Sequence, residues 1–159
     1  MANTYTLDDK GQKVVWSGAV TDVHTNQKEV IGSTRFHGMK VYRYYKFDNG
    51  SSVAAVSGNI AVFKATAQDI ITSDMSTGDT NPVAAGMFVS VPADAQFCWL
   101  QVRGDAVVNL AINAGADGAA CIPHTTDGML TIATANDVIV SCATASDSSA
   151  KIVWLHCVM

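Results

Sequence analysis

Short apolar segments alternate with aspartate-containing turns throughout the C-terminal half of the chain, and this feature most constrains the fold. The aspartates recur at intervals of ten residues, at Asp117, Asp127, Asp137 and Asp147. Such an interval accommodates a strand of about five or six residues and a turn. The intervening segments do not align as copies of one unit, which argues against a solenoid. The pattern predicts an antiparallel meander of short strands.

The acidic residues point to the same fold class. The chain has thirteen aspartates and one glutamate, Glu29, and aspartate favours turns whereas glutamate favours helices. A chain of 159 residues fits one domain. We therefore predict an all-β protein, an antiparallel sandwich or barrel of jelly-roll-like or meander type. Residues 37–159 are expected to form a single β domain, preceded by an extended N-terminal arm or edge strands over residues 1–36.

Alternation and turn residues locate the individual strands. Residues 39–47 alternate clearly, and Asp48-Asn49-Gly50 then predicts a hairpin turn into a second strand at 51–56. Residues 65–71 fit either a strand or one to two helical turns, and 73–82 is predicted to be a loop. The other predicted strands are 60–63, 83–91, 97–103, 107–112, 119–122, 129–134, 138–143 and 151–158.

Aromatic residues outside the predicted core, together with their apolar neighbours, are candidates for contact with another protein, since aromatic side chains dominate interface hot spots. In the N-terminal segment we assign this role to Val14, Val15 and Trp16. In the strand at 39–47 we assign it to Tyr42 and Tyr44, which alternate with Met39 and Val41 on the other face. The alternative is that these side chains pack within the protein's own core.

The motifs of common enzymes and cofactor sites do not occur in the sequence. It contains no G-x-S-x-G, no phosphate-binding G-x-x-x-x-G-K-[ST] and no strand-to-helix G-x-G-x-x-G. Net charge is −4, and no lysine or arginine lies between Arg103 and Lys151, which argues against nucleic acid as a partner. We expect no catalytic residues and no cofactor. The aspartates are expected to serve turns rather than paired-carboxylate chemistry.

The four cysteines, Cys98, Cys121, Cys142 and Cys157, are predicted to be buried reduced thiols, because they lie in apolar β-like segments. Cys121-x-x-His124 and His156-Cys157 are only half-sites for zinc, so no metal is expected. Arg103-Gly104-Asp105 is predicted to be a turn. The N-terminus lacks signal-peptide character, and no run of about 18 apolar residues occurs, so we expect a soluble protein made in the cytoplasm, without membrane contact.

Four segments then carry a resemblance to a known family. They are CWLQVRG at 98–104, AGA at 114–116, HTTDG at 124–128 and KIVWL at 151–155. In this order, over residues 83–158, they resemble the decoration, or cement, proteins that coat the heads of tailed bacteriophages. In that group an aromatic-x-Q-V-x-G strand precedes an A-G-D-like turn, a T-T-D-G or T-A-G turn and a final apolar strand.

The resemblance implies a non-enzymatic virion protein on the capsid exterior that binds the major capsid protein and stabilises the head. It also implies a homotrimer over threefold or quasi-threefold positions, with an N-terminal segment reaching neighbouring capsid subunits. Three alternatives remain open. They are a phage tail or fibre domain that binds a receptor, a small polysaccharide hydrolase, and a bacterial binding protein for another ligand.

Overall fold

The computed structural model describes residues 18–65, 67–75, 80–109, 120–132, 140–142 and 150–157. Within these ranges all regular structure is β, with ten strands and no helix, so the all-β prediction is confirmed. The strands are β1 (Thr34–His37), β2 (Lys40–Phe47), β3 (Ile60–Lys64), β4 (Ala67–Thr72), β5 (Thr80–Phe88), β6 (Phe97–Asn109), β7 (Ala120–Pro123), β8 (Leu130–Ile132), β9 (Val140–Cys142) and β10 (Ala150–His156).

Five strands close into a ring in the order β2, β4, β3, β5 and β6, with β6 pairing back onto β2. This closure corresponds to the barrel alternative of the prediction. Four of the five pairings are antiparallel, whereas β2 and β4 are parallel through Lys46 opposite Ile70 and Phe47 opposite Ile71. The sheet is therefore mixed, which a purely antiparallel prediction missed.

The C-terminal strands extend the sheet from β6 in the order β10, β9, β7 and β8. Their positions agree with the predicted segments, but the meander order is wrong. Strand β7 pairs with β8 on one side, through Ile122 opposite Thr131, and with β9 on the other, through Cys121 opposite Val140. The spacing of turns in the sequence limits the length of each strand. Which strands pair with each other depends on packing between strands.

Two apolar clusters hold the ring and its extension together. The first joins β2, β3, β4, β5 and β6, and its rings meet edge to face: Phe47 and Phe88 have centroids 5.5 Å apart, and Tyr45 and Phe63 5.6 Å apart. The second joins the ring to β8 and β10, and it includes Ile60, Val102, Val108, Leu130 and Leu155. Each fully buried side chain of this size contributes about 1.5–3 kcal/mol.

The predicted strand at 39–47 is confirmed as β2, but the predicted hairpin after it is wrong. Residues 51–56 form no strand and do not pair with β2. Gly50 has a φ of +56° and its N–H donates to Asp48 Oδ1 at 2.8 Å, so the turn itself exists. The Ser51 N–H then donates to Asp74 Oδ2 at 2.8 Å, which holds the chain against the end of β4 instead of β2.

The predicted turn at Arg103-Gly104-Asp105 is also wrong, because all three residues lie inside the continuous strand β6. Gly104 has a φ of +97° and pairs with Leu155 of β10. A Cβ atom on Gly104 would lie 2.9 Å from the Met39 carbonyl oxygen. The glycine therefore permits close approach of the β1–β2 turn at an irregular point of the β2–β6 pairing.

The remaining elements lie close to their predicted positions. Residues 67–72 form β4, so the strand alternative applies there and not the helical one. Strand β5 begins at Thr80, inside the predicted loop. The boundary expected from the sequence between residues 36 and 37 falls inside β1, and this strand pairs with β2. The part of the chain that the structure describes contains no helix long and apolar enough to cross a bilayer.

Candidate interaction surface

The second half of β6 alternates strictly between core and solvent. Ala106 and Val108 are buried in the apolar cluster that joins the ring to the extension, whereas Arg103, Asp105 and Val107 are exposed. Successive side chains of a strand point to opposite faces, so the three exposed residues share one face. A polar residue is expected at each exposed position, and Val107, with 58% of its surface exposed, departs from this expectation.

Strand β10 has the same alternation and lies directly beside β6. Val153 and Leu155 are buried, whereas Ile152, Trp154 and His156 are exposed, with exposed fractions of 43% for Ile152 and 36% for Trp154. Their cross-strand partners are Val107, Asp105 and Arg103 respectively. We call these six residues the β6–β10 outer face: Arg103, Asp105, Val107, Ile152, Trp154 and His156.

The centre of the β6–β10 outer face is apolar and its surroundings are charged or polar. Val107 and Ile152 lie opposite each other, and Trp154 follows on the same face of β10. Asp105 lies 3.6 Å from the Lys40 ammonium, an exposed ion pair that contributes little to stability. Exposed Met39 belongs to the turn that contacts Gly104. An apolar centre with a polar rim is typical of protein-protein interfaces.

The two predicted contact tyrosines do not belong to this surface. Tyr44 is fully buried and Tyr42 is 6% exposed, and both pack with Trp99. The interpretation as contact residues therefore needs correction, because the structure places both side chains in the protein's own interior. Residues 18–33 pack against this side of β2 and β6: Val20 contacts the tyrosine cluster, and the Gly32 N–H donates to the Tyr44 carbonyl at 2.8 Å.

Tyr44 is the centre of a buried polar and aromatic cluster. Its hydroxyl lies 2.9 Å from His24 Nδ1 and accepts the Lys28 backbone N–H at 3.2 Å. Its ring packs on Trp99 with centroids 5.0 Å apart and stacks on Phe97 with centroids 6.0 Å apart. These contacts attach the N-terminal segment to the ring.

The single glutamate also lies in this cluster. Glu29 is buried and its carboxylate lies 3.5 Å from the Arg35 guanidinium. Arg35 also stacks over Trp99, 4.4 Å from the ring centroid, and donates to the Gly18 carbonyl at 2.5 Å. Neither Glu29 nor Arg35 was predicted from the sequence as a site residue. The available signal was an isolated glutamate next to apolar Val30-Ile31, in a chain that otherwise uses aspartate.

Asp22 and Asp48 accept backbone N–H groups of their own turns, as predicted, whereas Asp94 and Asp127 accept N–H groups from segments far away in the sequence. Asp22 accepts the Ala19 N–H, Asp94 accepts the Asn49 N–H and Asp127 accepts the Met75 N–H, at 2.7–3.1 Å. Asp48 accepts the Gly50 N–H and lies 2.8 Å from the Lys64 ammonium. The hydrogen bond from Lys64, followed by that from Gly50, lowers the pKa of the Asp48 carboxyl.

The cysteines are buried where the structure describes them. Cys98 and Cys157 are free thiols, and burial raises the pKa of each to about 12. Cys121 is buried as well, and the Cys142 side chain lies outside the described residues. His124 Nδ1 accepts the Thr126 N–H at 2.9 Å. Within the described ranges no group of three or more His, Cys, Asp or Glu side chains is placed to hold a metal ion.

The segments that carry the family resemblance fall on definite elements. Residues 98–104 lie in β6, 124–128 form the turn between β7 and β8, and 151–155 lie in β10, whereas 114–116 lie outside the described residues. The predicted contact residues Val14, Val15 and Trp16 also lie outside them. No protein-family model, curated protein or solved structure matches this chain.

Proposed function

We propose that this chain is a structural protein without enzymatic activity, which binds another protein through the β6–β10 outer face. The supporting observation is the exposed apolar pair Val107 and Ile152 beside Trp154, on strands whose opposite face is fully buried. Exposed apolar patches with polar rims mark interaction sites. These side chains are 36–58% exposed, so burying their remaining surface contributes only part of the about 1.5–3 kcal/mol of a fully exposed side chain, before the cost of association.

The proposed partner is the major capsid protein on the outside of a tailed-phage head. This choice rests on the resemblance carried by residues 98–104, 124–128 and 151–155. A decoration protein needs complementary surface rather than reacting groups, because it stabilises the shell by binding the assembled form. Trimer formation is part of the same proposal, since three linked copies raise the effective concentration of each contact.

Electron microscopy of undecorated capsids of the parent phage, mixed with the purified protein, tests this proposal. We expect ordered, saturable density on the capsid surface with wild-type protein. The triple variant Val107→Thr, Ile152→Thr, Trp154→Thr is expected to lose that density, because threonine keeps strand propensity while removing apolar area. The matched control, Val56→Thr with Val91→Thr, removes exposed valines outside the strands and is expected to bind normally.

Four results would overturn all or part of the proposal. If wild-type protein gives no density on capsids that are intact enough to bind other ligands, the capsid is excluded as the partner. If the protein adsorbs to host cells without binding capsids, the tail or fibre alternative is favoured. Release of reducing sugar from surface polysaccharide favours the hydrolase. Equal capsid binding by the triple variant and wild type excludes the β6–β10 outer face. Solution mass by sedimentation tests the trimer separately.

A further inference from the structure

Residues 18–33 are held on the ring through two adjoining points of attachment. His24 exchanges two backbone hydrogen bonds with Phe97 at the start of β6, at 2.9 and 2.8 Å. Gly32 and Ser33 exchange backbone hydrogen bonds with Tyr44 of β2, at 2.8 and 3.0 Å. His24 is therefore the point at which this segment joins β6, and its side chain meets Tyr44, the other attachment point.

The His24 and Tyr44 side chains share a hydrogen bond whose direction depends on the His24 tautomer. The Lys28 N–H donates to the Tyr44 hydroxyl oxygen, so a neutral His24 can accept the Tyr44 proton at Nδ1. A protonated His24 carries hydrogen on both ring nitrogens and cannot accept. Protonation would therefore remove any hydrogen bond that Nδ1 accepts from Tyr44 and place a positive charge in a buried site.

The charged and titratable groups around His24 come from three elements. Asp22, Lys28 and Glu29 belong to its own segment, Arg35 belongs to β1, and Tyr44 belongs to β2. Strand β6 contributes the uncharged aromatic rings of Phe97 and Trp99. The two carboxylates favour a protonated imidazole and the two cations disfavour it, so the local charges oppose one another and burial is the decisive factor.

We propose that residues 18–33 are a pH-dependent attachment, released from β2 and β6 when His24 is protonated. Burial lowers the pKa of His24 below its ordinary value of 6.5, with the cations Lys28 and Arg35 acting in the same direction. The released state binds the proton more readily, so the attachment is fully stable above about pH 6.5 and weakens as pH falls below it. This attachment does not depend on which partner the β6–β10 outer face binds.

Hydrogen exchange measured by mass spectrometry, at about pH 7.5 and about pH 5.0 with rates corrected for intrinsic amide chemistry, tests the proposal. Protection of peptides from residues 18–33 is expected to fall by about tenfold at the lower pH, while β3 and β5 keep theirs. His24→Asn places an amide oxygen at the Nδ1 position without titrating, so its protection is expected to stay constant with pH.

A reciprocal variant covers the case in which His24→Asn does not fold. The chain has four histidines, and His37→Asn, His124→Asn and His156→Asn together leave His24 as the only one. This triple variant is expected to keep the acid response of residues 18–33. Loss of the response in the triple variant, an unchanged response in His24→Asn, or uniform loss of protection in all strands would each overturn the proposal.

Discussion

Val107 of β6 and Ile152 of β10 lie directly opposite each other, and both side chains face solvent although their sequence neighbours Val108 and Val153 are fully buried. The two strands therefore have a completed core on one face and uncovered aliphatic surface on the other. Such residues contribute little to the stability of the isolated chain, which makes their role separable from folding. The contrast between adjacent valines provides a direct test.

Val107→Thr and Val108→Thr are matched substitutions at adjacent positions on opposite faces. Val107→Thr is expected to change the free energy of unfolding by less than about 0.5 kcal/mol, because its side chain is exposed. Val108→Thr is expected to cost about 1–3 kcal/mol, because it places a hydroxyl in an apolar cluster. Urea denaturation of both variants measures the difference. Equal losses would contradict the assignment of the two faces.

Gly104→Ala tests the close approach of the β1–β2 turn to β6, with another positive-φ glycine, Gly38, as its control. Alanine at Gly104 is strained by the φ of +97° and by contact with the Met39 carbonyl, so we expect a loss of about 2–4 kcal/mol in unfolding free energy. Gly38 has a φ of +60° with nothing within 4 Å of an added Cβ. Gly38→Ala is expected to cost only about 1 kcal/mol. Thermal denaturation that ranks the variants in the reverse order would refute the close approach.

Strand positions were predictable because side-chain alternation marks extended backbone, as residues 40–47 illustrate, although burial in this strand does not itself alternate. The positive-φ glycine inside β6 was not, because a glycine followed by aspartate has the same sequence signature in a turn and inside an irregular strand. The same limit applies to Asn49-Gly50, where the turn was correct but the hydrogen bond from Ser51 to Asp74 directs the chain away from β2. Local sequence contains no information about that distant acceptor.

The buried cluster and the exposed face were missed for a related reason. Alternation in β2 placed Tyr42 and Tyr44 opposite the core, which is correct, yet residues 18–33 cover that side as well. Conversely, Ile152 and Trp154 are apolar, as core residues are. They lie on the outer face of the β6–β10 pair, where nothing in the described chain covers them. Burial of a strand's second face depends on elements far away in sequence.

Asp127 is expected to stabilise the β7–β8 turn through the loop that follows β4. Its Oδ1 accepts the Met75 N–H at 2.7 Å, a contact between residues 52 positions apart. Asp127→Ala is expected to cost about 1–2 kcal/mol, because it removes a charge-assisted hydrogen bond. Asp127→Asn keeps an oxygen acceptor and is expected to lose less than half as much. Chemical denaturation that finds both variants equally stable would contradict a specific acceptor role.

Cys98 and Cys157 are expected to resist alkylation in the folded protein. Each has a pKa of about 12, so at about pH 8 only about one molecule in ten thousand carries the reactive thiolate, and both side chains are buried. Unfolding returns the pKa to its ordinary range near 8.5 and exposes the sulfur, which should raise the labelling rate by about a thousandfold. Maleimide labelling followed by peptide mass spectrometry, with and without urea, measures both rates. Rapid labelling of either cysteine without urea would place that thiol at the surface. It would contradict the burial of Cys98 in the apolar cluster of the ring, or of Cys157 in the cluster that joins the ring to its extension.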